Sequence, residues 1–332
     1  GVSGQDGAYL TQLLLEKGYE VYGGLRRGAE RSLWRLRELG ISEEINFVEL
    51  ELGEYANIHR VLKQTQPIAV FNLAAQSFVG TSFEQPLYTI DVDGLAPVRI
   101  LESIREIDPT CRFYQASTSE MFGGYHTASQ NEDAGFNPQS PYGCAKLMAH
   151  EMVRLYRQSY NLKCVSGILF NHESPFRGEE FVTRKITLGL SEIVLKKRET
   201  LKLGNLDAKR DWGHAKDYVR AMYEMTFADD ADDYVVATGK TYSVRDFINA
   251  SCDALNLDVY WEGSGMSETL KTRDGKSIIE IDPKYFRPSE VPVLLGDSSK
   301  AKEKLAWVPQ YDFDALVEDM VTADMRRTER FG

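Results

Sequence analysis

The sequence predicts an α/β protein built as a doubly wound parallel sheet with a smaller mixed α/β lobe, and three observations carry the prediction. Short apolar runs rich in valine, isoleucine and phenylalanine alternate with segments of helical period. A glycine-rich turn, GVSGQDG at residues 1–7, stands directly before the first of those segments. The chain of 332 residues is long enough to bury a sizeable core and to divide into two lobes. Strands that alternate with helices in this way pair in parallel through right-handed crossovers.

The first helix is AYLTQLLLEKG, closed by Gly18. The strands expected after it are EVYGGL, NFVEL, AVFNLA, RFYQAS and CVSGILF. In the otherwise helical GLAPVRILESIREI, Pro97 marks a first turn or a kink, because proline removes a helix hydrogen bond. From about residue 171 the pattern is irregular, basic and aromatic until DYVVATG resumes a strand. Ser243 with Asp246 then opens the helix VRDFINASCDAL through a capping box. The tail from Trp261 mixes loops, strands and short helices.

Composition narrows the function classes. A hydrophobic fraction of 42% with 27% charged residues is ordinary for a globular protein. No run reaches membrane-spanning length and no signal peptide opens the chain, so a cytoplasmic location is expected. The formal charge of -11 argues against broad binding to nucleic acid or anionic membrane. Cys111, Cys144, Cys164 and Cys252 are scattered, without the spacing of a zinc site or a disulfide framework, and no metal is expected.

Four motifs carry chemistry. In GVSGQDG, the glycines Gly1, Gly4 and Gly7 let backbone N–H groups approach a pyrophosphate at a helix N-terminus. A Rossmann-type sheet places a strand before that turn, so roughly ten further residues are expected upstream. In GGLRRG, Arg26 and Arg27 suit the 2′-phosphate of NADP; a solvated basic turn is the alternative, with Glu30 nearby. In SPYGCAK, Tyr142 and Lys146 stand at i and i+4 on one helix face. There an ammonium favours the phenolate, which can exchange a proton with an alcohol. In ASTSEMFG, Thr118 and the carboxylate Glu120 lie at the mouth of an apolar strand, where α/β sheets place their chemistry.

Together with NLAAQS at 72–77, STSEMFG at 117–123 and YGCAK at 142–146, the glycine motif resembles the extended short-chain dehydrogenases/reductases. More narrowly, FNHESPFRGEEFVTRKI, GNLDAKRDWGHAKDYV, YFRPSEV and LLGDSSKAKEKLAWVP are similar to the GDP-mannose 4,6-dehydratase family, and the similarity covers essentially the whole chain. The resemblance implies a lyase that uses NADP and a GDP-sugar. Tyr142 would take the C4 hydroxyl proton, Glu120 the C5 proton, Thr118 would bond O4 or the tyrosine, and Lys146 would hold the nicotinamide ribose. Implied cofactor contacts are Gly4, Gln5, Asp6, Leu73, Ala74, Ala75, Ser77, Tyr88, His172 and Arg177, with Glu51 and Leu52 near the adenine. His172 is otherwise a core histidine. Implied substrate contacts are Ser77, Glu120, Asn171, Arg184, Lys185, Gly204, Asn205, Arg210, Arg287 and Glu290. Arginine forks among these suit a diphosphate, whereas Lys196, Lys197 and Arg198 read as a solvated face. The expected division is an NADP-binding domain at 1–170 and 212–253 and a nucleotide-sugar lobe at 171–211 and 254–332.

The chain departs from the family pattern in places. Glu51-Leu52 replaces an Asp-Leu pair, Phe78 stands where a histidine is usual, Phe176 replaces a basic residue, and RRG replaces RRS. Phe78 and Phe176 are therefore expected to bear on the sugar, and a GDP-manno-heptose is the nearest alternative to GDP-mannose. A nucleotide-sugar epimerase or reductase would share Thr118, Tyr142 and Lys146 but not require Glu120. A non-catalytic NADP-binding protein would share only the fold. The family implies a homodimer or homotetramer, paired through DGLAPVRILESI and the helix after Tyr142.

Overall fold

The computed structural model describes residues 1–124, 129–286, 291 and 293–330. The glycine turn runs into α1 (Gln5–Glu16), which is followed by Gly18 in the left-handed region at φ +83°. β1 (Tyr22–Leu25) and β2 (Asn46–Glu49) flank the short α2 (Trp34–Glu38). α3 (Tyr55–Thr65) leads to β3 (Ala69–Asn72). The next crossover is broken into α4 (Val79–Glu84), α5 (Pro86–Thr89), a π-helical turn at Ile90–Leu95, and α6 (Ala96–Ile107). Pro97 sits in the first turn of α6, where its missing N–H costs nothing. β4 (Arg112–Thr118), α7 (Pro141–Tyr160) and β5 (Cys164–Leu169) complete the first half.

The second half opens with β6 (Asn171–Glu173), α8 (Val182–Val194), β7 (Leu201–Leu203), β8 (Lys209–Arg210), β9 (Trp212–His214) and α9 (Ala215–Phe227). β10 (Asp233–Val236) and β11 (Tyr242–Ser243) precede α10 (Val244–Ala254), whose capping box between Ser243 and Asp246 is formed in both directions. β12 (Val259–Glu262), β13 (Thr269–Thr272), β14 (Ser277–Ile281) and β15 (Val293–Leu294) are followed by α11 (Ser299–Leu305) and α12 (Phe313–Arg330).

The central sheet runs β10-β5-β4-β3, all parallel, and β1 pairs with β2 in a separate parallel ribbon. Every residue of β5 is buried, as a parallel strand covered on both faces requires. One side is covered by a core of Tyr9, Leu10, Tyr218, Met222 and Met225 from α1 and α9. The other is covered by Ile58, Ile100, Leu101, Ile104 and Val153 from α3, α6 and α7. A third core joins α8, α10 and α12 to the sheet β12-β13-β14-β7 through Leu190, Phe247, Leu270 and Leu316. Each such side chain contributes about 1.5–3 kcal/mol by leaving water.

Two expectations are corrected by this packing. The segment 171–211 is not irregular: it holds α8, whose apolar face Ile186, Leu190 and Ile193 recurs at helical spacing between polar residues. The lobes also divide differently. α10, expected with the nucleotide-binding domain, buries Val244, Phe247, Ile248 and Cys252 in the third core, while Ala301 and Trp307 from the tail return to the first. Trp307 Nε1 donates to the Asp217 carbonyl at 2.9 Å, which ties that tail to α9.

Candidate active site

The C-terminal end of β4 delivers Thr118, and the chain then turns through a single 3₁₀ turn, Ser119–Met121, that carries Glu120. The Thr118 hydroxyl accepts the Glu120 amide at 3.3 Å. α7 begins on the other side. Ser140 caps it by accepting the Gly143 amide at 3.0 Å, and Pro141 pre-sets its first turn. A side chain at position 143 would come within 3.0 Å of the Glu120 carbonyl, so only glycine lets the helix start press against the Glu120 turn.

Tyr142 and Lys146 follow on that helix, 9% and 3% exposed. The Lys146 ammonium donates to the Ala116 carbonyl on β4 at 3.0 Å and lies 5.7 Å from the Tyr142 ring centre. Burial pushes the Tyr142 phenol above its ordinary range, and Asp93 and Glu120 push the same way; a hydrogen bond from Thr118 and the charge of Arg177 oppose them. Thr118 and Arg177 are therefore the groups that favour the phenolate. Lys146 is held below the usual lysine range by burial, opposed by Asp93 and Asp6.

The glycine turn lies alongside. A Cβ at Gly7 would sit 2.2 Å from the Gly1 carbonyl, so the turn closes on α1 only because that position has no side chain. Gly4 is the extended residue before α1, with no side chain over the helix N-terminus, a cradle that fits a pyrophosphate. Behind it, His172 Nε2 bonds Asp6 at 2.9 Å and Nδ1 meets the Phe170 carbonyl at 2.8 Å, with the ring stacked on Tyr218. Acceptors at both nitrogens suit an imidazolium. Burial disfavours that charge, but Asp6 outweighs it and raises the His172 pKa; Asp6 is lowered in turn, its own burial outweighed by His172. Gln5 donates to the His172 carbonyl at 3.1 Å and accepts from Ser174 at 2.6 Å.

Leu73, Ala74, Ala75 and Ser77 form the loop after β3, with Ser77 exposed. Arg26 donates to the Tyr88 hydroxyl at 3.1 Å, bringing the end of β1 to α5, and Arg27 is exposed beside it. Glu51 is exposed, whereas the Leu52 side chain belongs to the core and only its carbonyl is engaged, by Arg99 at 3.2 Å.

The residues expected to hold the substrate divide. Lys185 lies 3.3 Å over the ring of Tyr285, whose carbonyl would stand 2.5 Å from a Cβ at Gly204; burial lowers the Lys185 pKa to about 8. Asn205 accepts the Asp207 amide at 2.9 Å. Asn171 opens β6, half-buried, and pairs with Trp212 on β9. Arg210 is buried on β8 and donates to the Lys209 and Val291 carbonyls at 2.8 Å. Arg184 corrects the expectation: its guanidinium donates to both Asp324 oxygens at 2.8 Å and to the Pro175 and Arg177 carbonyls, so the fork is spent inside the fold. Arg287 and Glu290 lie outside the described residues.

The aromatic departures also separate. Phe176 is a core side chain: it is buried, stacked on Tyr9 at 4.9 Å and edge-on to Trp34 at 5.5 Å. Phe78 is partly exposed after Ser77 and meets Phe181 edge-to-face at 5.8 Å, while the Arg177 guanidinium lies 3.6 Å over the Phe181 ring. Glu173, buried, pairs with Arg177 at 2.9 Å and accepts from Thr183 at 2.6 Å. Tyr285, Phe181, Glu173 and Asp93 are neighbours of these residues to which the sequence reading gave no role of their own, although the quoted motifs contain them.

The family profile described as GDP-mannose 4,6 dehydratase matches residues 1–320. The chain belongs to the GDP-mannose 4,6-dehydratase family. Among its relatives, the GDP-mannose 4,6-dehydratase of Sinorhizobium fredii is 46% identical, covering 98% of this chain and 95% of its own. That of Vibrio cholerae is 44% identical over 99% of this chain and 94% of its own. In fold, the chain matches the dTDP-glucose 4,6-dehydratase of Bacillus anthracis in complex with NAD with a TM-score of 0.82 at 19% identity, over 99% of this chain and 96% of that one. Family membership makes the chain an enzyme of dehydratase type on a Rossmann-type fold.

Proposed function

We propose that the protein is an NADP-dependent lyase that converts GDP-mannose to GDP-4-keto-6-deoxymannose. The observation that carries this reading is the convergence of Thr118, Glu120, Tyr142 and Lys146 at the end of β4, with Glu120 in a turn held by Thr118 and packed against the start of α7. A dehydrogenase or epimerase needs the hydroxyl, phenol and ammonium; a carboxylate beside them is what elimination adds. Relatives at 44–46% identity named as GDP-mannose 4,6-dehydratases support the substrate.

When bound, NADP+ supplies a hydride acceptor for C4, a donor to C6 in the same turnover, and a positive charge in the site. Tyr142 takes the C4 hydroxyl proton as the C4–H bond breaks, leaving a 4-ketone that acidifies C5–H. Glu120 takes the C5 proton and delivers it to the C6 oxygen, which leaves as water as a C5–C6 double bond forms; when C6 is reduced, C5 takes the proton that Tyr142 drew from the C4 hydroxyl, so both groups end the turnover as they began it. Thr118 holds O4 or the Tyr142 oxygen, and Lys146 holds the cofactor ribose. Arg26, whose guanidinium reaches the Tyr88 hydroxyl, and its neighbour Arg27 support NADP over NAD, because two cations at the end of β1 suit a 2′-phosphate.

In this reading the lobe of β1–β5 and β10 binds the cofactor, and the lobe of α8, α10 and α12 contributes Lys185, Gly204 and Asn205 to the GDP-sugar. Leu87, Ile90 and Leu95 on α5 and the π-helical turn, with Met148 and Leu155 on α7, are exposed apolar side chains that a second copy would cover, in keeping with a homo-oligomer. Among the described residues no helix is long and apolar enough to cross a membrane. The test is mass spectrometry of the enzyme with catalytic NADP+ and GDP-mannose or a GDP-manno-heptose. Loss of one water from GDP-mannose without accumulation of NADPH is expected. Loss from the heptose alone would move the substrate, and loss from neither would overturn the reading.

A further inference from the structure

Residues 174–177, which follow β6, belong to no helix or strand, yet Ser174, Pro175 and Phe176 are buried. Buried carbonyls outside regular structure need donors from elsewhere. Three helices supply them as arginines. Arg184 from α8 donates to the Pro175 and Arg177 carbonyls at 2.8 and 3.0 Å, and Arg327 from α12 donates to that of Pro175 at 2.6 Å. Arg35 from α2 donates through Nε to the Phe176 carbonyl at 2.6 Å. The first two arginines also pair with carboxylates, Asp324 and Glu38. Arg35 forms no ion pair among the described residues, and its Nη1 reaches instead to the Ser3 carbonyl, at 3.1 Å, inside the glycine turn. Ser174 donates to Gln5 at 2.6 Å, so turn and segment are joined at two points. The segment ends in Arg177, whose guanidinium lies over Phe181 and 2.9 Å from Glu173.

We propose that Arg35 is a positioning residue for the dinucleotide: its planar fork fixes the spacing between the phosphate turn at Ser3 and the segment that presents Arg177, so that both meet the cofactor pyrophosphate as one unit. The inference rests on the reading of the glycine turn as the cofactor cradle. A guanidinium holds its donors in one rigid plane and serves two carbonyls at once, whereas a lysine ammonium is a single point of charge on a flexible stem. The bridge joins distant parts of the chain, since α2 lies between β1 and β2 while Phe176 follows β6. Trp34, the neighbour of Arg35 on α2, packs edge-on against Phe176 at 5.5 Å and holds the helix to the same segment. Burial, followed by the charges of Arg184 and Arg327, lowers the Arg35 pKa to about 10, with Glu180 and Asp6 opposing them. The cation that makes both bonds therefore persists at neutral pH.

Two substitutions separate the bridge from the charge. Arg35→Ala removes both, and Arg35→Lys keeps the charge while losing the fork. NADPH affinity is read by the fluorescence of the bound nucleotide without any sugar, and GDP affinity by calorimetry, so the test survives a wrong sugar assignment. Arg35→Ala weakens NADPH about tenfold and raises KM for NADP, while kcat at saturating NADP and the affinity for GDP stay near the wild-type values. Arg35→Lys keeps most of that loss. Full recovery in Arg35→Lys would mean that charge alone acts, and would overturn the proposal. NADPH affinity unchanged in Arg35→Ala would overturn it too, as would equal weakening of NADPH and GDP, the sign of a general prop of the fold. If Arg35→Ala does not fold, Arg35→Lys carries the test: weaker NADPH with unchanged GDP supports the bridge, and unchanged NADPH overturns it. A wild-type enzyme that binds GDP but neither NADPH nor NADH would overturn the cofactor reading together with the proposal, whereas tight wild-type binding with unaltered variants overturns the bridge alone.

Discussion

The end of β4 and the basic helix α8 were both rich in candidate residues, and the fold treats them differently. At β4, the motif spacing translates directly into a cluster: Thr118 and Glu120 are two residues apart on a strand end, Tyr142 and Lys146 are one helical turn apart, and Ala116, Thr118 and Gly143 bind the two elements together. On α8, Arg184 and Lys185 are adjacent yet point to different fates, one locked to Asp324 and the other over Tyr285. Short-range spacing identifies a site when the elements that carry it are neighbours in the sheet. A charge on a helix face is assigned only by what packs against that face.

The largest effect is expected at Glu120. Glu120→Gln should bind nucleotide sugar and lose water release by about 10²–10⁴-fold, measured by mass spectrometry; wild-type product formation would remove the carboxylate from the mechanism. On the α8 side, Asp324→Ala strands the Arg184 guanidinium in the core and should destabilise the fold by about 3–5 kcal/mol in denaturant titrations. Lys185→Ala should instead leave stability in place and raise KM for the GDP-sugar. Equal effects from the two would erase the distinction.

Smaller effects sharpen the boundary between the regions. The folded pKa of His172 is raised above the ordinary 6.5 and that of Asp6 lowered below 3.8. Their mutual stabilisation is therefore full between about pH 4 and 6.5, lost as pH rises through the folded His172 value, and lost again as pH falls through that of Asp6. Asp6→Asn should accordingly lower the unfolding temperature most near pH 5.5 and least near pH 9; a pH-independent loss would mean the pair is not ionic. Phe78→His should remove the edge contact with Phe181, worth about 0.5–1.5 kcal/mol, and act on KM for NADP through Arg177 more than on kcat. A change in kcat alone would place Phe78 on the sugar instead.

The parallel sheet was legible because each buried strand reads as an apolar run bounded by turn residues, and the capping box at Ser243 and the first-turn proline at Pro97 have purely local causes. α8 and α9 were not, because their apolar stripes are interrupted by Arg184 and Asp217, residues that are polar in sequence and buried in the fold. Asp217 shows the reason: it is 1% exposed, with its carboxylate accepting the backbone amides of Gln310 and Tyr311 from the distant tail. Asp93 escaped for a similar reason, since nothing in DVDG marks a π-helical turn or the Gln76 amide that comes to it.

The most direct test of the account uses GDP-mannose carrying deuterium at C4, with unlabelled NADP+ in catalytic amount. One deuterium is expected to move within the same molecule to C6, so the 4-keto-6-deoxy product keeps the label on its methyl group. A product without deuterium, or label accumulating in the free cofactor, would contradict the internal return of hydride around which Thr118, Glu120, Tyr142 and Lys146 have been read.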